Sequence, residues 1–260
     1  MDLSSRPPRD QKMRRLLLTR SDLQAGEMVE SLASMGIFCV SEPMLSIQHV
    51  RQVEAEALEP AAALAFTSAN GVDAFIGQGG SPAGKVIYAV GPETAGRLAA
   101  HGAQSVLAGT GDAASLLRLI CSTWRPADGM IVHVSGRDIS CDIAAELRQW
   151  GYRSRRTVVY AAVPSASISR STLEGLHNNA FSGVIFLSRR AAEVFCSLVE
   201  RNAEISIDGL TAFCLSKSVS EAVNPGVFEQ LKWASHPTRG GLVELLASKV
   251  QAAKATWTGP

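Results

Sequence analysis

The stretch Ala65–Phe75, AFTSANGVDAF, returns about 120 residues later as Ile185–Phe195, IFLSRRAAEVF. Each copy consists of a short apolar run, a polar break at a serine, and a helical pattern that ends in Phe. The apolar run is typical of a buried strand, and Ser68 and Ser188 stand where a helix N-cap is expected. The stretch therefore predicts a strand–turn–helix unit that occurs twice in the chain.

Three further pairs of segments repeat with a similar offset. They are Leu16–Asp22 with Val132–Asp138, Ile87–Thr94 with Phe213–Ser220, and Val106–Leu117 with Trp233–Leu246. Short apolar runs that alternate with helices indicate parallel sheets joined by crossover helices, and a period this long is not that of a solenoid. We predict an α/β fold with two similar parallel-sheet lobes.

Some individual elements are predicted from local composition. The Ala- and Glu-rich segment Glu54–Ala63 is typical of a helix, and the strand Leu64–Thr67 should follow it. Thr157–Val163 has the character of a strand, and Arg239–Val250 that of the last helix. Residues 1–13 and 251–260 have no comparable pattern, so we predict mobile tails there.

The polar breaks of the repeat are where we expect a ligand. In an open parallel sheet, the turns that follow the strands lie at the carboxyl edge, and helices that begin there present free N–H groups to anions. Two such sheets facing each other would form a cleft. Its candidate hydroxyl groups are Ser68, Thr94, Ser188, Ser216, Ser218 and Thr238, and its candidate cations are Arg20, Arg137, Arg189, Arg190, Lys217 and Arg239.

Each of these residues also has a simpler interpretation. The hydroxyl groups would serve as N-caps and the cations as solvated surface charge. Asp22 and Asp138 close the two related turns as helix caps or, alternatively, act as a paired acid and base. Gly109–Gly111 would either cradle a phosphate or form a tight turn capped by Asp112, since it has only part of a nucleotide-binding glycine pattern. The residues alone predict a two-lobed protein with an anion-binding cleft.

Composition excludes several classes of function. A net charge of +1 and the lack of a basic run with aromatic residues argue against nucleic-acid binding. Five widely spaced cysteines predict reduced thiols in the cytoplasm, and neither cysteines nor histidines show metal-ligand spacing. The N-terminus is not a signal peptide, and no apolar stretch is long enough to span a membrane. We expect a cytoplasmic protein without a metal, a cofactor or a membrane partner.

Tyr160 is one of only three tyrosines, and it ends the apolar run Val158–Tyr160. A half-buried tyrosine in a strand is one interpretation of this position. A phenol that donates a proton or a hydrogen bond to a leaving oxygen in the cleft is the other.

Six short motifs, in this order and spacing, resemble the uroporphyrinogen-III synthase family from about Arg14 to Val250. They are Leu18–Arg20, Phe66–Val72, Tyr88–Thr94, Val159–Tyr160, Phe186–Ser188 and His236–Thr238. The turn Leu215–Ser218 departs from the glycine-proline pattern that the family has at this point. The resemblance implies two flavodoxin-like lobes joined by two crossing strands. It also implies a discontinuous first lobe, 14–45 plus 164–250, and a second lobe, 46–163.

The resemblance further implies a reaction that needs neither metal nor cofactor. Hydroxymethylbilane would lose water and close to uroporphyrinogen III with inversion of ring D, through an azafulvene cation and a spiro intermediate. A monomeric enzyme would hold the substrate in a folded conformation. The implied catalytic residue is Tyr160, and the implied substrate-binding residues are Arg20, Ser68, Asn70, Thr94, Ser135, Arg137, Ser188, Ser216, Lys217 and Thr238.

Two other functions stay open on the sequence. A non-enzymatic two-lobed protein that binds a small anion would share the polar turns. A nucleotide-sugar glycosyltransferase would use Gly109–Gly111 as its phosphate turn.

Overall fold

A computed structural model describes residues 15–20, 22–50, 61–202, 205–224 and 226–255 of the chain. The chain forms two compact units. The first, here called the discontinuous unit, consists of the residues up to Ser46 and from Pro164 onward. The second, the continuous unit, consists of Ile47–Val163. The backbone therefore passes from one unit to the other twice.

The discontinuous unit contains a five-stranded sheet in the order β11-β10-β9-β1-β2, and its paired strands are parallel. Its strands are β1 (Arg15–Leu18), β2 (Phe38–Ser41), β9 (Gly183–Phe186), β10 (Thr211–Cys214) and β11 (Gln230–Trp233). Its helices are α1 (Asp22–Ser34), α6 (Arg170–His177), α7 (Arg189–Glu200), α8 (Lys217–Ser220) and α9 (Arg239–Ala255).

The continuous unit is built on a six-stranded sheet in the order β3-β8-β7-β4-β5-β6, parallel from β8 to β6. The strands are β3 (Leu45–His49), β4 (Ala61–Phe66), β5 (Val86–Ala89), β6 (Val106–Ala108), β7 (Met130–Gly136) and β8 (Ser154–Pro164). The helices are α2 (Ala69–Gly77), α3 (Pro92–Ala100), α4 (Ala113–Thr123) and α5 (Ile143–Gln149). The strands β3 and β8, which are neighbours in this sheet, include both points where the chain changes units.

The two sheets have the same arrangement once the sequence repeat is used to match their strands. β7 and β8 correspond to β1 and β2, and β4, β5 and β6 correspond to β9, β10 and β11. Each sheet then has the flavodoxin-like order 2-1-3-4-5. The predicted fold class is confirmed. In this order the connections between strands lead toward one edge of the sheet on one side of a switch point and toward the other edge on the other side. The switch point lies between β1 and β9 in one unit and between β7 and β4 in the other.

Apolar side chains fill both faces of each sheet. In the discontinuous unit, Phe186, Phe195 and Phe228 pack edge-on or stacked on one face, with ring centroids 5.5–6.2 Å apart. In the continuous unit, Phe66 and Phe75 make the corresponding edge-on pair at 5.4 Å. The phenylalanines that end the two opening sequence segments therefore belong to the two cores.

Two of the element predictions differ from the structure. Residues 61–63, predicted as the end of a helix, form the start of β4, where Ala61 and Ala63 are buried. Full burial between helices favours a strand even for alanine, so packing overrides its helix propensity. The remainder of that predicted helix, 54–60, lies outside the described residues, as do the tail residues 1–13 and 256–260. Helix α9 continues to Ala255, into the second predicted tail.

Candidate functional site

The continuous unit has an open cleft of about 360 Å³ at the carboxyl edge of its sheet. It lies at the reversal point between β7 and β4, the position at which open α/β sheets bind ligands. The residues that line it are Thr67, Ser68, Val90, Gly111, Asp112, Ala113, Gly136, Asp138, Ile139, Ser140, Cys141 and Tyr160. They come from the turns after β4, β5, β6 and β7 and from the middle of β8.

A β-bulge directs Tyr160 into this cleft. Ser135 of β7 pairs with Val158, but the next residue, Gly136, pairs with Tyr160, so Val159 is an extra residue in β8. Neighbouring residues of a regular strand point to opposite faces, yet Val159 and Tyr160 both pack on the same core cluster. Bulges redirect side chains in this way and are common beside active sites.

The ring of Tyr160 lies against Gly136, and only glycine leaves room for it. A Cβ built on Gly136 would stand 2.6 Å from the Tyr160 Cζ atom and 2.9 Å from its hydroxyl oxygen. The Tyr160 carbonyl accepts a hydrogen bond from the Arg137 N–H at 2.8 Å. The turn after β7 therefore fixes both the ring and the backbone of Tyr160.

Ser68 connects Tyr160 to the start of helix α2. The Ser68 Oγ atom accepts a hydrogen bond from the Gly71 N–H at 3.0 Å, which makes Ser68 the N-cap of α2. The same atom lies 3.0 Å from the Tyr160 hydroxyl, and either oxygen can donate. Because Ser68 already accepts from Gly71, its own proton is free to point at Tyr160. The phenol proton can then face the cleft.

Arg156 of β8 holds the turn that carries Gly136 and Arg137. Its Nη2 atom donates to the carbonyls of both residues at 2.6 Å, and its Nε atom donates to Ser135 Oγ at 2.9 Å. Charge-assisted hydrogen bonds of this kind are stronger than neutral ones. The wall of the cleft beside Tyr160 is thus fastened from the neighbouring strand.

His133 lies behind the cleft, in the middle of β7, and is fully buried. Its Nε2 atom is 3.1 Å from the hydroxyl of Thr67, which lines the cleft, and its Nδ1 atom is 3.7 Å from the Asp142 carboxylate. Burial lowers the pKa of His133 to about 4, although the carboxylate of Asp142 opposes this shift. The positive charge of Arg156 is a smaller contribution to this lowering of the pKa. His133 is therefore a neutral imidazole near pH 7.

The turn Gly109–Gly111 was one candidate for a phosphate site in the sequence. In the structure, hydrogen bonds within the turn and the start of helix α4 hold it. Asp112 accepts the Ser115 N–H at 2.7 Å as the N-cap of α4, and Ser115 Oγ accepts the Thr110 N–H at 3.0 Å. This is the tight, Asp112-capped turn that was the alternative prediction. Its residues Gly111 and Asp112 nevertheless form one wall of the cleft.

The predicted site residues of the continuous unit do not all reach the cleft. Ser68 and Tyr160 line it, and Asn70 lies in the first turn of α2. Arg137 is exposed beside it. Thr94 and Ser135 are buried, at 3% and 0% exposure, so a ligand at the surface does not meet their hydroxyls. Ser135 instead accepts from Arg156.

The predicted residues of the discontinuous unit follow four adjacent parallel strands. Parallel pairing brings the turns after β1, β9, β10 and β11 to one edge of the sheet. Ser188 and Ser216 cap α7 and α8 by accepting N–H groups at 3.2 and 3.3 Å, and Thr238 accepts from the Gly241 N–H at 3.1 Å. Lys217 is exposed and Arg20 half-buried at the same edge.

Sequence reasoning did not identify Thr67, His133, Asp142 and Arg156. Thr67 stands beside Ser68 in the first repeated segment, so its position at a strand end was a usable signal. His133 lies inside a strand pattern and Arg156 directly before the strand predicted over Thr157–Val163, and only the β7–β8 register, which pairs them, shows that they belong to the site.

Within the part of the chain that the structure describes, no group of three His, Cys, Asp or Glu side chains is placed to hold a metal ion. In that same part, none of the helices has the length and apolar character needed to cross a membrane.

Comparisons with known proteins point to one family. The profile of "Uroporphyrinogen-III synthase HemD" matches residues 26–244. The uroporphyrinogen-III synthetase structure of Helicobacter pylori 26695 is 17% identical, with a TM-score of 0.61 over 90% of this chain and 99% of the other. A mutant uroporphyrinogen III synthase of Thermus thermophilus is 15% identical, with a TM-score of 0.52 over 93% and 97%.

Comparison with curated protein sequences found no significant match. At these identities the two solved structures establish a shared fold, whereas the family profile spans most of the chain. The chain therefore belongs to the uroporphyrinogen-III synthase HemD family.

Proposed function

We propose that this protein is a uroporphyrinogen-III synthase, a lyase of tetrapyrrole biosynthesis. It would convert hydroxymethylbilane to uroporphyrinogen III with loss of water and inversion of ring D. The observation that carries the proposal is the phenol of Tyr160, which a bulge and a glycine direct into a cleft in a chain of this family.

The first step is loss of the substrate hydroxyl. The pyrrole ring releases an electron pair toward the carbon that carries the hydroxyl, the C–O bond breaks, and the departing oxygen needs a proton to leave as water. Tyr160 would donate a hydrogen bond to that oxygen, with Ser68 as its partner behind it. Positioned acids are worth about 10²–10⁴-fold in rate, and an easily ionised substrate calls for the lower end of that range.

The later steps depend on holding the chain of rings in a folded conformation. Ring D attacks the cation through its substituted carbon, and the spiro compound then breaks its older bond between that carbon and the bridge to ring C. The bridge carbon recloses at the free α carbon of ring D, where loss of a proton restores the pyrrole and balances the proton used to release water. Orientation of this kind lowers a barrier without any reacting side chain. Acetate and propionate groups of the substrate would bind at the carboxyl edge of the discontinuous unit. The groups proposed there are Arg20, Ser188, Ser216, Lys217, Thr238 and the N–H groups of the first helical turns.

The direct test is product analysis. The protein is incubated with enzymatically made hydroxymethylbilane, the product is oxidised, and the porphyrin isomers are separated. The bilane closes spontaneously to isomer I, so isomer III is expected only with the protein. Binding of the bilane without isomer III would instead indicate a non-enzymatic anion-binding protein.

Tyr160→Phe tests the chemical role, because it removes one oxygen and keeps the ring. We expect isomer III to form about 10–100-fold more slowly, at a melting temperature close to that of the wild type. The matched control is Tyr152→Phe, which removes a hydroxyl that donates to the Trp124 carbonyl at 3.2 Å and does not line the cleft. Equal turnover in the two variants would show that Tyr160 only packs. Size-exclusion chromatography of the wild-type protein tests the predicted monomer.

A further inference from the structure

The side chains of Thr67, His133 and Asp142 are connected in that order at the carboxyl edge of the continuous unit. Thr67 is at the cleft surface, His133 is fully buried behind it, and Asp142 caps helix α5 beyond it by accepting the Ala145 N–H at 3.1 Å. The proposed loss of water through Tyr160 makes no use of this connection. A buried histidine in a parallel strand costs stability unless its two nitrogens are matched to their surroundings.

The surroundings of His133 select one of its two neutral forms. Its Nδ1 atom is buried, and within the described residues no hydrogen-bond partner meets it, but the negative Asp142 carboxylate is 3.7 Å away. A carboxylate attracts an N–H group and repels a nitrogen lone pair, so the proton belongs on Nδ1. Nε2 then carries a lone pair, and it must accept the hydrogen bond from the Thr67 hydroxyl at 3.1 Å.

This orientation decides what Thr67 offers to a ligand. A hydroxyl has one proton and two lone pairs. Because the proton of Thr67 is directed inward to His133, only its lone pairs face the cleft. Asp112 and Asp138, whose carboxylates are acceptors, are also among the residues that line the cleft. This wall of the cleft suits an N–H donor and disfavours a carboxylate.

We propose that Thr67, held as an acceptor by His133, binds a pyrrole N–H of the substrate. His133 is then a positioning residue, and the cleft of the continuous unit takes the nitrogen edge of a ring, while the substrate carboxylates bind elsewhere. This inference rests on the proposed function for the identity of the ligand. The orientation of His133 and Thr67 is inferred from the position of the Asp142 carboxylate and does not depend on that identity.

The first part of the test measures the tautomer directly. Two-bond ¹H–¹⁵N correlation spectra of histidine-labelled protein distinguish the Nδ1–H form from the Nε2–H form, and His133→Gln assigns the signal. We expect the Nδ1–H form at pH 7. An Nε2–H form or a charged ring would overturn the inference, whatever the protein does to hydroxymethylbilane.

The second part measures binding with an unreactive probe. The probe is methylbilane, in which hydrogen replaces the hydroxyl, together with four analogues that each carry one N-methyl group. For wild type, methylation of one particular ring should weaken binding about tenfold or more, the effect of one lost hydrogen bond in a partly buried site. For Thr67→Val, the methylated and unmethylated probes should bind almost equally.

Conservative variants separate positioning from folding. Thr67→Ser should restore the discrimination that Thr67→Val loses. His133→Gln, whose side-chain oxygen can accept from Thr67, should retain more of it than His133→Leu. Thr123→Val is the matched control, since its hydroxyl pairs with Tyr88 away from the cleft.

Two failures can be told apart. In the first, the wild type forms isomer III while each N-methyl group weakens binding by the same factor in the wild type and in Thr67→Val. In that case this inference is overturned and the proposed function stands. If wild type neither forms isomer III nor binds methylbilane, both are overturned.

Discussion

The two units share one strand order, but the equivalent strands β8 and β2 end in different surroundings. In the continuous unit, the strand that follows β7 and α5 is β8, an 11-residue strand with a bulge that sends Tyr160 into a cleft. In the discontinuous unit the corresponding strand is β2, with four residues. β2 leads directly to Glu42, which is 6% exposed.

Glu42, just after β2, binds the start of a helix from the second segment of the discontinuous unit. Its carboxylate accepts hydrogen bonds from the Ser169 N–H at 2.9 Å and from the Ser169 and Thr172 hydroxyls, both at 2.5 Å. These partners start helix α6, just after the chain has returned from the continuous unit. Glu42 thus ties the two segments of the discontinuous unit together. One topology therefore supplies an open cleft at the end of one strand and an internal connection at the end of the equivalent strand.

The largest effect should come from Glu42→Gln. The amide cannot accept all three hydrogen bonds, and the hydroxyl of Thr172, which is buried, loses its charged acceptor, so we expect the discontinuous unit to lose about 3 kcal/mol of unfolding free energy. Urea unfolding followed by hydrogen exchange of the β9 and β10 amides measures it. Glu174→Gln, which breaks only an exposed pair with Arg170, should cost less than about 0.5 kcal/mol. An equal loss of unfolding free energy in the two variants would show that Glu42 does not hold the two segments of the discontinuous unit together.

Acidification should weaken the two units unequally because of His133. Its folded-state pKa is about 4, below the ordinary 6.5, with Asp142 and Arg156 the charged groups that face it. The unfolded state therefore takes up a proton below pH 6.5 that the folded state refuses. Its contribution to stability is lost as the pH falls from 6.5 to 4, by up to roughly 3 kcal/mol. His133→Gln should flatten this pH dependence in the continuous unit.

The discontinuous unit provides the internal control for this prediction. Its described histidines, His177 and His236, are exposed. Hydrogen exchange measured at pH 4.5 and pH 7 should show a larger difference between wild type and His133→Gln in β4 and β7 than in β9 and β10. A uniform difference over both units would contradict the assignment to His133.

Gly136→Ala should displace the Tyr160 ring, because its Cβ would stand 2.6–2.9 Å from ring atoms. We expect a cost of about 1–3 kcal/mol, as for other overpacked sites, together with slower formation of isomer III. Gly96→Ala in helix α3, where a Cβ meets nothing within 4 Å, should stabilise the protein by up to about 1 kcal/mol. A crystal structure of Gly136→Ala with Tyr160 unmoved would refute the argument.

The smallest effect distinguishes the two equivalent caps, Ser68 and Ser188. Each accepts one N–H of its helix, so Ser68→Ala and Ser188→Ala should each cost about 1 kcal/mol. Only Ser68 also contacts Tyr160. A double-mutant cycle with Tyr160→Phe should therefore give a coupling energy of about 0.5–1 kcal/mol for Ser68, measured by thermal unfolding, and none for Ser188. Equal coupling would mean that the contact at Tyr160 contributes nothing.

Much of this site follows from the residues themselves. The repeat of Ala65–Phe75 in Ile185–Phe195 predicted strand–turn–helix units with serine caps, and the structure has both. A serine before a helical pattern is a local signal, since the cap contacts an N–H three residues away. The two-lobed parallel-sheet fold follows from the same repeat, because alternating buried strands and helices leave few other arrangements.

Other features were decided only in three dimensions. The bulge at Val159, the space beside Gly136 and the partners of His133 depend on the register between β7 and β8, which joins residues far apart in the chain. The burial of Thr94 and Ser135 shows the same dependence. Sequence spacing places a hydroxyl at the end of a strand, but the neighbouring strand determines whether solvent reaches it. The local chemistry was therefore fixed by the sequence pattern, and its accessibility and pairing by packing between strands.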